Sequence, residues 1–472
     1  MHGSSVYPNI RRTSYDSTPY SPGCYMAVED GYTLIVGLGV TGMSCVRHLV
    51  ARGQPVAVVD SRTAPPAFEE LLSDYPDVPV TLGGFETDWF SNAAEIVLSP
   101  GVYPSEPAVR FARDNGIPVI GDIELFARKA LAPVAAITGS NGKSTVTTLV
   151  GEMARVGGRE VRVGGNLGPP ALSLLDGDPP DLYVVELSSF QLELTRSLNP
   201  VVATLLNVSP DHMDRYQDFD HYVAAKRGIF VGSGAMVLNL DDPVVAGMRK
   251  AHRKCIGFTL EAPSENDFGV LQQQGEAWLA HGEEPLVRAA DLPLPGLHNV
   301  SNTLAALAMG EALGIDMPAR LEAIGRFRGL PHRCQLIAER DGVRWYNDSK
   351  GTNVGATVAA IRGLGASCKL VIIAGGDGKG ADFAPLRQPI ESCVRHVVLF
   401  GRDAPRIEQA ICGAAPHSYA KDLADAIQTA ASAAHPHDVV LFSPACASFD
   451  MFENYEARGR AFTAAVEGFL RS

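Results

Sequence analysis

Residues 134–150, Val134-Ala-Ala-Ile-Thr-Gly-Ser-Asn-Gly-Lys-Ser-Thr-Val-Thr-Thr-Leu-Val150, pass from an apolar run through a glycine-bearing turn into residues that can open a helix. That order predicts strand, phosphate-binding loop, helix, and it commits the surrounding chain to an α/β architecture. The backbone N–H groups of Gly139, Ser140, Asn141 and Gly142, the positive end of the helix, the Lys143 ammonium and the Ser144 hydroxyl, with Thr145 next in line, suit a nucleotide polyphosphate and its Mg2+. The full pattern G-x-x-x-x-G-K-[ST] wants glycine at 137 and finds Ile137, with Gly139 two places later. Strand, turn, lysine and hydroxyl keep their order, so Lys143 is read as an ATP ligand. An ordinary glycine turn with a solvated lysine is the alternative.

At roughly 150 residues per domain, 472 residues predict about three domains. A net charge of −13 opposes nonspecific attraction to nucleic acid or anionic membrane, so small anions must be held by local groups. Eight cysteines without C-x-x-C spacing indicate neither a zinc site nor a disulfide framework. No apolar run reaches the roughly 20 residues that span a bilayer, and no charged-then-apolar leader opens the chain. A cytoplasmic protein without membrane insertion and without a nucleic-acid partner is expected.

Residues 1–25, rich in Ser, Tyr and Pro, lack periodicity, and a disordered extension is expected over 1–29; a start at Met26 is the other possibility. From Tyr32 the run Leu34-Ile-Val-Gly37-Leu-Gly39-Val-Thr-Gly42 gives strand, G-x-G-x-x-G and helix. Val56-Ala-Val-Val-Asp60 adds a second strand whose acid lies eighteen residues past Gly42. This spacing predicts a dinucleotide or sugar-nucleotide site, or a β-α-β turn that binds nothing. Strands are expected at Ile96-Val-Leu-Ser and Pro118-Val-Ile-Gly121, then at Leu182 to Glu186, Val201 to Asn207 and Ala235 to Asn239. After Gly329-Leu-Pro-His-Arg333 the pattern restarts with Lys369 to Gly376, His396 to Gly401 and Asp438 to Ser443. The expected division is 30–121, 122–329 and 330–472, with a Rossmann-like first domain, a central ATPase-type domain on a parallel sheet and a Rossmann-like third.

Glu186 closes an apolar strand beside the loop, where a carboxylate can hold Mg2+ or cap a helix. Asp211-His212-Met-Asp214-Arg215 follows the next strand, and His212 is either a metal ligand or structural. Lys226, in Tyr222-Val-Ala-Ala-Lys226-Arg227, reads by default as a solvated helix lysine. Gly375-Gly-Asp377-Gly-Lys379 and Ser443-Pro-Ala-Cys-Ala-Ser448 can bind a small anion or simply turn the chain.

Thr138 to Thr145, Glu186-Leu-Ser-Ser-Phe-Gln191, Asp211 to Arg215, His298-Asn299 with Asn302, Leu330-Pro-His-Arg333, Asn347-Asp-Ser-Lys350 and Ser443 to Ser448 together resemble the Mur ligases. The likeness runs in order from about Tyr32 to the C-terminus. It implies an ATP-driven amide-bond former of cytoplasmic peptidoglycan synthesis, a monomer that joins D-glutamate to UDP-N-acetylmuramoyl-L-alanine through an acyl phosphate. Sister Mur ligases, or folylpolyglutamate-type ligases with another amino acid such as L-glutamate or another acceptor, are the alternatives within enzymes. A nucleotide-binding regulator that has lost catalysis is the alternative outside them.

The resemblance also implies roles. Gly39, Val40 and Thr41 would meet the UDP diphosphate and ribose, Asp60, Ser61 and Arg62 the uracil end, and Asn166 the muramoyl part. Mg2+ would sit against Ser144 and Glu186, and a second Mg2+ against His212 and a carbamylated Lys226. Asn299, Asn302, Arg333 and Asp348 would hold ATP. Lys350, Thr352, Lys379, Ser448, Phe449 and Tyr455 would form the glutamate pocket. Gly351, Phe449 and Tyr455 depart from the commoner alanine, leucine and phenylalanine of the family. Because the third domain carries ligands for both ATP and amino acid, catalysis is expected to need it to swing onto the central one.

Overall fold

The computed structural model describes residues 31–294, 296–365 and 368–471; the expected extension over 1–29, with Met26, lies outside them. The described chain forms two compact units. One takes the residues through Ala136 with Glu160–Val201 and Gly228–Ser233; the other takes Ile137–Arg159, Val202–Arg227 and the residues from Gly234 onward.

In the first unit a five-stranded parallel sheet runs in the order Val80–Leu82, Val56–Asp60, Tyr32–Val36, Ala93–Leu98, Val119–Ile120. Leu34, Val36, Ala57 and Val59 face one core with Phe90, Ile96 and Leu98, while Ile35 and Val58 are equally buried on the other face. Sheets covered on both faces give near-continuous apolar strands, which is why these runs were legible. The helix Val40–Val50 returns tightly on the first strand. A Cβ at Gly42 would stand 1.9 Å from the Gly37 carbonyl oxygen, so only glycine fits there. Farther along, Val161–Gly165 and Leu182–Glu186 pair in parallel with Gly165 opposite Glu186.

In the second unit Val202–Leu205, Ala235–Asn239, Cys255–Phe258 and Phe268–Gln273 pair in parallel, and Glu276–His281 and Glu284–Arg288 extend them antiparallel. The helix Leu297–Ala312 packs across the parallel strands and against the helix Lys143–Val156. A six-stranded sheet follows, in the order Gln335–Arg340, Val343–Asn347, Val439–Phe442, Leu370–Ala374, Val394–Leu399, His417–Tyr419, antiparallel only at its first pair. Leu370, Ile372 and Ala374 point into one core and Val371 and Ile373 into the opposite one. The α/β class expected from sequence is the class observed. The antiparallel meander 268–288 was not anticipated. Among the described residues no helix is long and apolar enough to cross a membrane.

Within the first unit a carboxylate replaces regular structure as the fastener. Glu124, in the helix Asp122–Ala127, accepts the Arg196 N–H at 2.7 Å, the Ser197 N–H at 2.9 Å, the Ser197 hydroxyl at 2.7 Å and Arg128 Nε at 3.1 Å. Burial alone would push its pKa up, but these donors favour the ionised form and bring it from 4.5 down to about 2. A depressed folded-state pKa stabilises the fold above the unfolded value, and that contribution is lost as pH falls from about 4.5 toward 2. Glu124→Gln is therefore expected to lower Tm at pH 7 by on the order of 5 °C. The gap should close on acidification, and thermal melts in a pH series check it: a constant gap down to pH 2 would remove the carboxylate's charge from the explanation.

Candidate active site

The phosphate-loop strand Val134–Thr138 ends where the Thr138 carbonyl accepts the Leu206 N–H and the Ser140 N–H donates to the Asn207 carbonyl, each at 2.9 Å. The Asn207 side chain then grips the loop backbone, accepting the Asn141 N–H at 2.8 Å and donating to the Asn141 carbonyl at 3.1 Å. Gly142 precedes the helix Lys143–Val156 with φ 83°, and a Cβ on it would lie 2.3 Å from Asn302 Oδ1. Glycine is required there by backbone and by space. The loop is further braced by the Ser140 hydroxyl, which donates to the Ser209 carbonyl at 3.0 Å and lies 3.0 Å from the Tyr222 hydroxyl.

Two lysines converge on this loop. Lys143 Nζ donates to the Gly139 and Ser140 carbonyls at 2.9 and 3.0 Å, and Lys226 Nζ donates to the Gly139 carbonyl at 2.8 Å. Lys226 is 2% exposed and its Nζ stands 4.8 Å from the centre of the Tyr222 ring. The default expectation of a solvated helix lysine is thereby overturned, because the helix Phe219–Arg227 turns this position inward. Arg333 reaches the loop from far along the chain and donates to the Ser144 hydroxyl at 2.5 Å.

A cavity of about 330 Å³ opens beside the loop, and seven of the residues expected around ATP line it: Asn141, Gly142, Thr145, Asn299, Asn302, Arg333 and Asp348. Gly139, Ser140, Lys143 and Ser144 are not on its wall. Asp348 accepts the Ser443 hydroxyl at 2.7 Å and the Cys334 N–H at 3.1 Å, yet burial dominates and pushes its carboxyl up to about 6. His298, also on the wall, is driven down to about 4 by burial and stands neutral.

A second cavity of about 390 Å³ is lined by Asp211, His212, Thr352, Asn353 and Lys379 among others. Asp211 receives Lys379 Nζ at 3.3 Å and Asn353 Nδ2 at 3.1 Å; burial opposes its ionisation, but Lys379 and His212 more than offset that and hold the carboxyl below its ordinary value. His212 has φ 58°, and burial lowers its ring to about 4 despite Asp211 Oδ2 at 3.6 Å from Nε2. It therefore presents a neutral imidazole, the form that can accept a hydrogen bond or bind a metal.

The expected glutamate set is only partly gathered here. Thr352 and Lys379 line this cavity, whereas Lys350 lines the first one, its Nζ 3.7 Å from the centre of the Tyr455 ring. Ser448 is buried on neither wall, and Phe449 is 71% exposed. Asn353 was missed by sequence reasoning, although an asparagine just before a helix is a recognisable cap signal.

Among the described residues of the first unit, chain neighbours aside, no atom lies within 4 Å of a notional Cβ on Gly39, and Val40 beside it is 71% exposed. Backbone can approach a diphosphate there as in a Rossmann turn. Thr41 lies in the helix Val40–Val50 and Ser61 is exposed. Asp60 is already saturated: it accepts the Leu38 N–H at 2.7 Å and Arg62 through its N–H at 2.8 Å, Nε at 2.9 Å and NH2 at 2.6 Å. Asp60 thus fixes Arg62, and Arg62, half exposed, is the member free to meet a ligand. Asn166 Nδ2 donates to Glu186 Oε1 at 2.6 Å, tying those two expected site residues together.

Parallel sheets, a glycine loop with a lysine opening the helix after it, and a Rossmann-type turn define an α/β protein of the class that binds ligands at the carboxyl ends of its strands. The chain matches the descriptions "Mur ligase MurD-like, N-terminal domain" over residues 31–121, "Mur ligase middle domain" over 137–310 and "Mur ligase, glutamate ligase domain" over 332–446. It is 53% identical over 438 residues to the UDP-N-acetylmuramoylalanine–D-glutamate ligase of Nitrosococcus oceani, covering 93% of this chain and 97% of that one. The enzyme of the same name from Pseudomonas aeruginosa is 50% identical over 444 residues, 94% and 99% of the two chains. Among solved structures, UDP-N-acetylmuramate-alanine ligase MurC of Thermotoga maritima superposes with TM-score 0.60 at 18% identity, over 93% of this chain and 99% of that one. This chain belongs to the Mur ligase family.

Proposed function

We propose that the protein joins D-glutamate to UDP-N-acetylmuramoyl-L-alanine, driven by ATP, in the cytoplasmic stage of peptidoglycan precursor synthesis. The observation that carries this is half identity, over nearly the whole of both chains, to D-glutamate ligases. The γ-phosphoryl group of ATP passes to a carboxylate oxygen of the lactoyl-alanine, releasing ADP and leaving an acyl phosphate. The glutamate amine then attacks that carbonyl carbon; the C–O bond to phosphate breaks, inorganic phosphate leaves and the amine gives up its proton. No nucleophilic side chain is needed, since holding reactants in attack geometry supplies much of the rate.

In this scheme the loop residues Gly139 to Thr145 with Asn299, Asn302, Arg333 and Asp348 hold ATP. Gly39, Val40, Thr41, Asp60, Ser61, Arg62 and Asn166 hold the UDP-substrate, and Lys350, Thr352, Lys379, Ser448, Phe449 and Tyr455 serve glutamate. The division 30–121, 122–329 and 330–472 and a monomeric state belong to the same proposal. For Mg2+ the proposed ligands are Ser144, Glu186, His212 and Lys226. Hydroxyl and carboxylate oxygens are the hard donors this ion takes, and His212 offers a neutral nitrogen. The Lys226 ammonium, donating to the Gly139 carbonyl, fits only after carbamylation turns it into an anion. Bound there, Mg2+ offsets phosphate charge.

Phosphate release with each glutamate enantiomer, omitting one component at a time, tests the function. A D-amino acid is selected when amine and both carboxylates each have a fixed partner, because inversion leaves one charge unpaired, at on the order of 3 to 5 kcal/mol. D-glutamate is expected to exceed L-glutamate in kcat/KM by at least about a hundredfold. Equal values, or preference for L-glutamate, would move the chain to another amino acid within the family.

A further inference from the structure

Asn353 lines the second cavity and hydrogen-bonds to a residue on the wall of each. Asn353 is 8% exposed and precedes the helix Val354–Gly365. Its Oδ1 accepts the Ala356 N–H at 2.8 Å, the position of a helix N-cap. Its amide nitrogen has two hydrogens, and both are directed away from its own helix: Nδ2 lies 3.3 Å from Asn141 Oδ1 in the phosphate loop and 3.1 Å from Asp211 Oδ2. These partners are 212 and 142 residues away in sequence.

The same turn is seated closely on the loop. A Cβ at Gly355 would lie 3.0 Å from Ser209 Oγ and 3.4 Å from Asn141 Nδ2. Gly355 and Ser209 border both cavities. One turn farther on, Thr357 Oγ1 lies 3.0 Å from the Ser443 hydroxyl, which donates to Asp348 at 2.7 Å. One end of this hydrogen-bonded chain is therefore the phosphate loop, and the other is the acid at the wall of the first cavity.

We propose that Asn353 is a positioning residue: by capping its own helix while donating to Asn141 and Asp211, it fixes the first cavity, where ATP is read to bind, relative to the second, where Lys379 and Thr352 await the amino acid. This rests on the functional reading above. A misplacement of about 1 Å between reacting groups costs on the order of a hundredfold in rate, so such a residue acts on turnover without touching the reacting atoms.

Residue chemistry separates positioning from capping. Serine and aspartate both cap helices well; serine is too short to reach Asn141 and Asp211, and aspartate cannot donate and sets a carboxylate against Asp211. Asn353→Ser is therefore expected to keep Tm within about 2 °C of the parent while kcat falls about thirtyfold; Asn353→Asp, whose buried carboxylate meets Asp211, should lower Tm as well and kcat by about a hundredfold. Binding of UDP-N-acetylmuramoyl-L-alanine alone should stay unchanged. Asn353→Ala, which also loses the cap, should lower both Tm and kcat. Serine and aspartate variants turning over within threefold of the parent would overturn the proposal, as would a loss of kcat that tracks Tm across all three variants. A parent enzyme that releases no phosphate with the complete substrate set would instead bring down the functional reading, and this inference with it.

Discussion

Lys143→Ala is expected to abolish ATP turnover, by a thousandfold or more, while the affinity for UDP-N-acetylmuramoyl-L-alanine stays within a factor of about three. Groups that place a positive charge on a transferring phosphoryl are worth on the order of 10³ to 10⁵ in rate, since that reaction asks the protein for little besides positioning and charge. Lys143 is built for this. It opens the helix Lys143–Val156 directly after the left-handed Gly142, and its Nζ is folded onto the Gly139 and Ser140 carbonyls of the loop. Those carbonyls are weak partners for an ammonium compared with a triphosphate, so the side chain can exchange them for ligand oxygens. The groups proposed for UDP, Gly39 to Thr41 and Asp60 to Arg62, belong to the other compact unit. Phosphate release, together with calorimetric binding of the UDP-substrate in the absence of ATP, checks both halves. Surviving turnover would end the ATP role of the loop, and a parallel loss of UDP-substrate affinity would end the assignment of the first region.

Burial of strands on both faces made much of this fold legible. Leu182–Glu186, Ala235–Asn239, Leu370–Ala374 and Val439–Phe442 are short, nearly unbroken apolar runs, and each is a parallel strand at or within a residue or two of its expected ends. The meander 268–288 escaped because its strands, such as Phe268–Gln273 with an exposed Gln272 and Gln273, carry too little apolar alternation to stand out from loop. Site residues divide in the same way. The phosphate loop is local in sequence and was read from its own spacing. The glutamate set was read from position along the chain, which does not fix where a side chain points: Phe449, two residues past the buried Ala447, ends exposed. Asn353 signals only a helix cap locally, and its other two partners are set by tertiary packing alone.

Packing also decides the case of Lys226, where sequence spacing gave a solvated lysine. The side chain is buried, its Nζ held by the Gly139 carbonyl at 2.8 Å and near the Tyr222 ring, so an ammonium at this place braces the start of the phosphate loop. A carbamate at the same place would present an anion to the loop. Both forms predict that Lys226→Ala fails, since the carbonyl loses its donor and a fixed charge disappears from a site where one such group is worth about a hundred- to a thousandfold. They differ in what can restore activity. Truncation leaves room for a small molecule, and if the working form is the carbamate, formate, acetate or propionate should recover part of the rate, saturably and without a change in Tm. If the working form is the ammonium, methylamine or ethylamine should recover it and the acids should not. Rescue by the amines alone would therefore remove carbamylation from the mechanism while keeping Lys226 in it. A fully active alanine variant would leave the lysine only its packing role beneath Gly139.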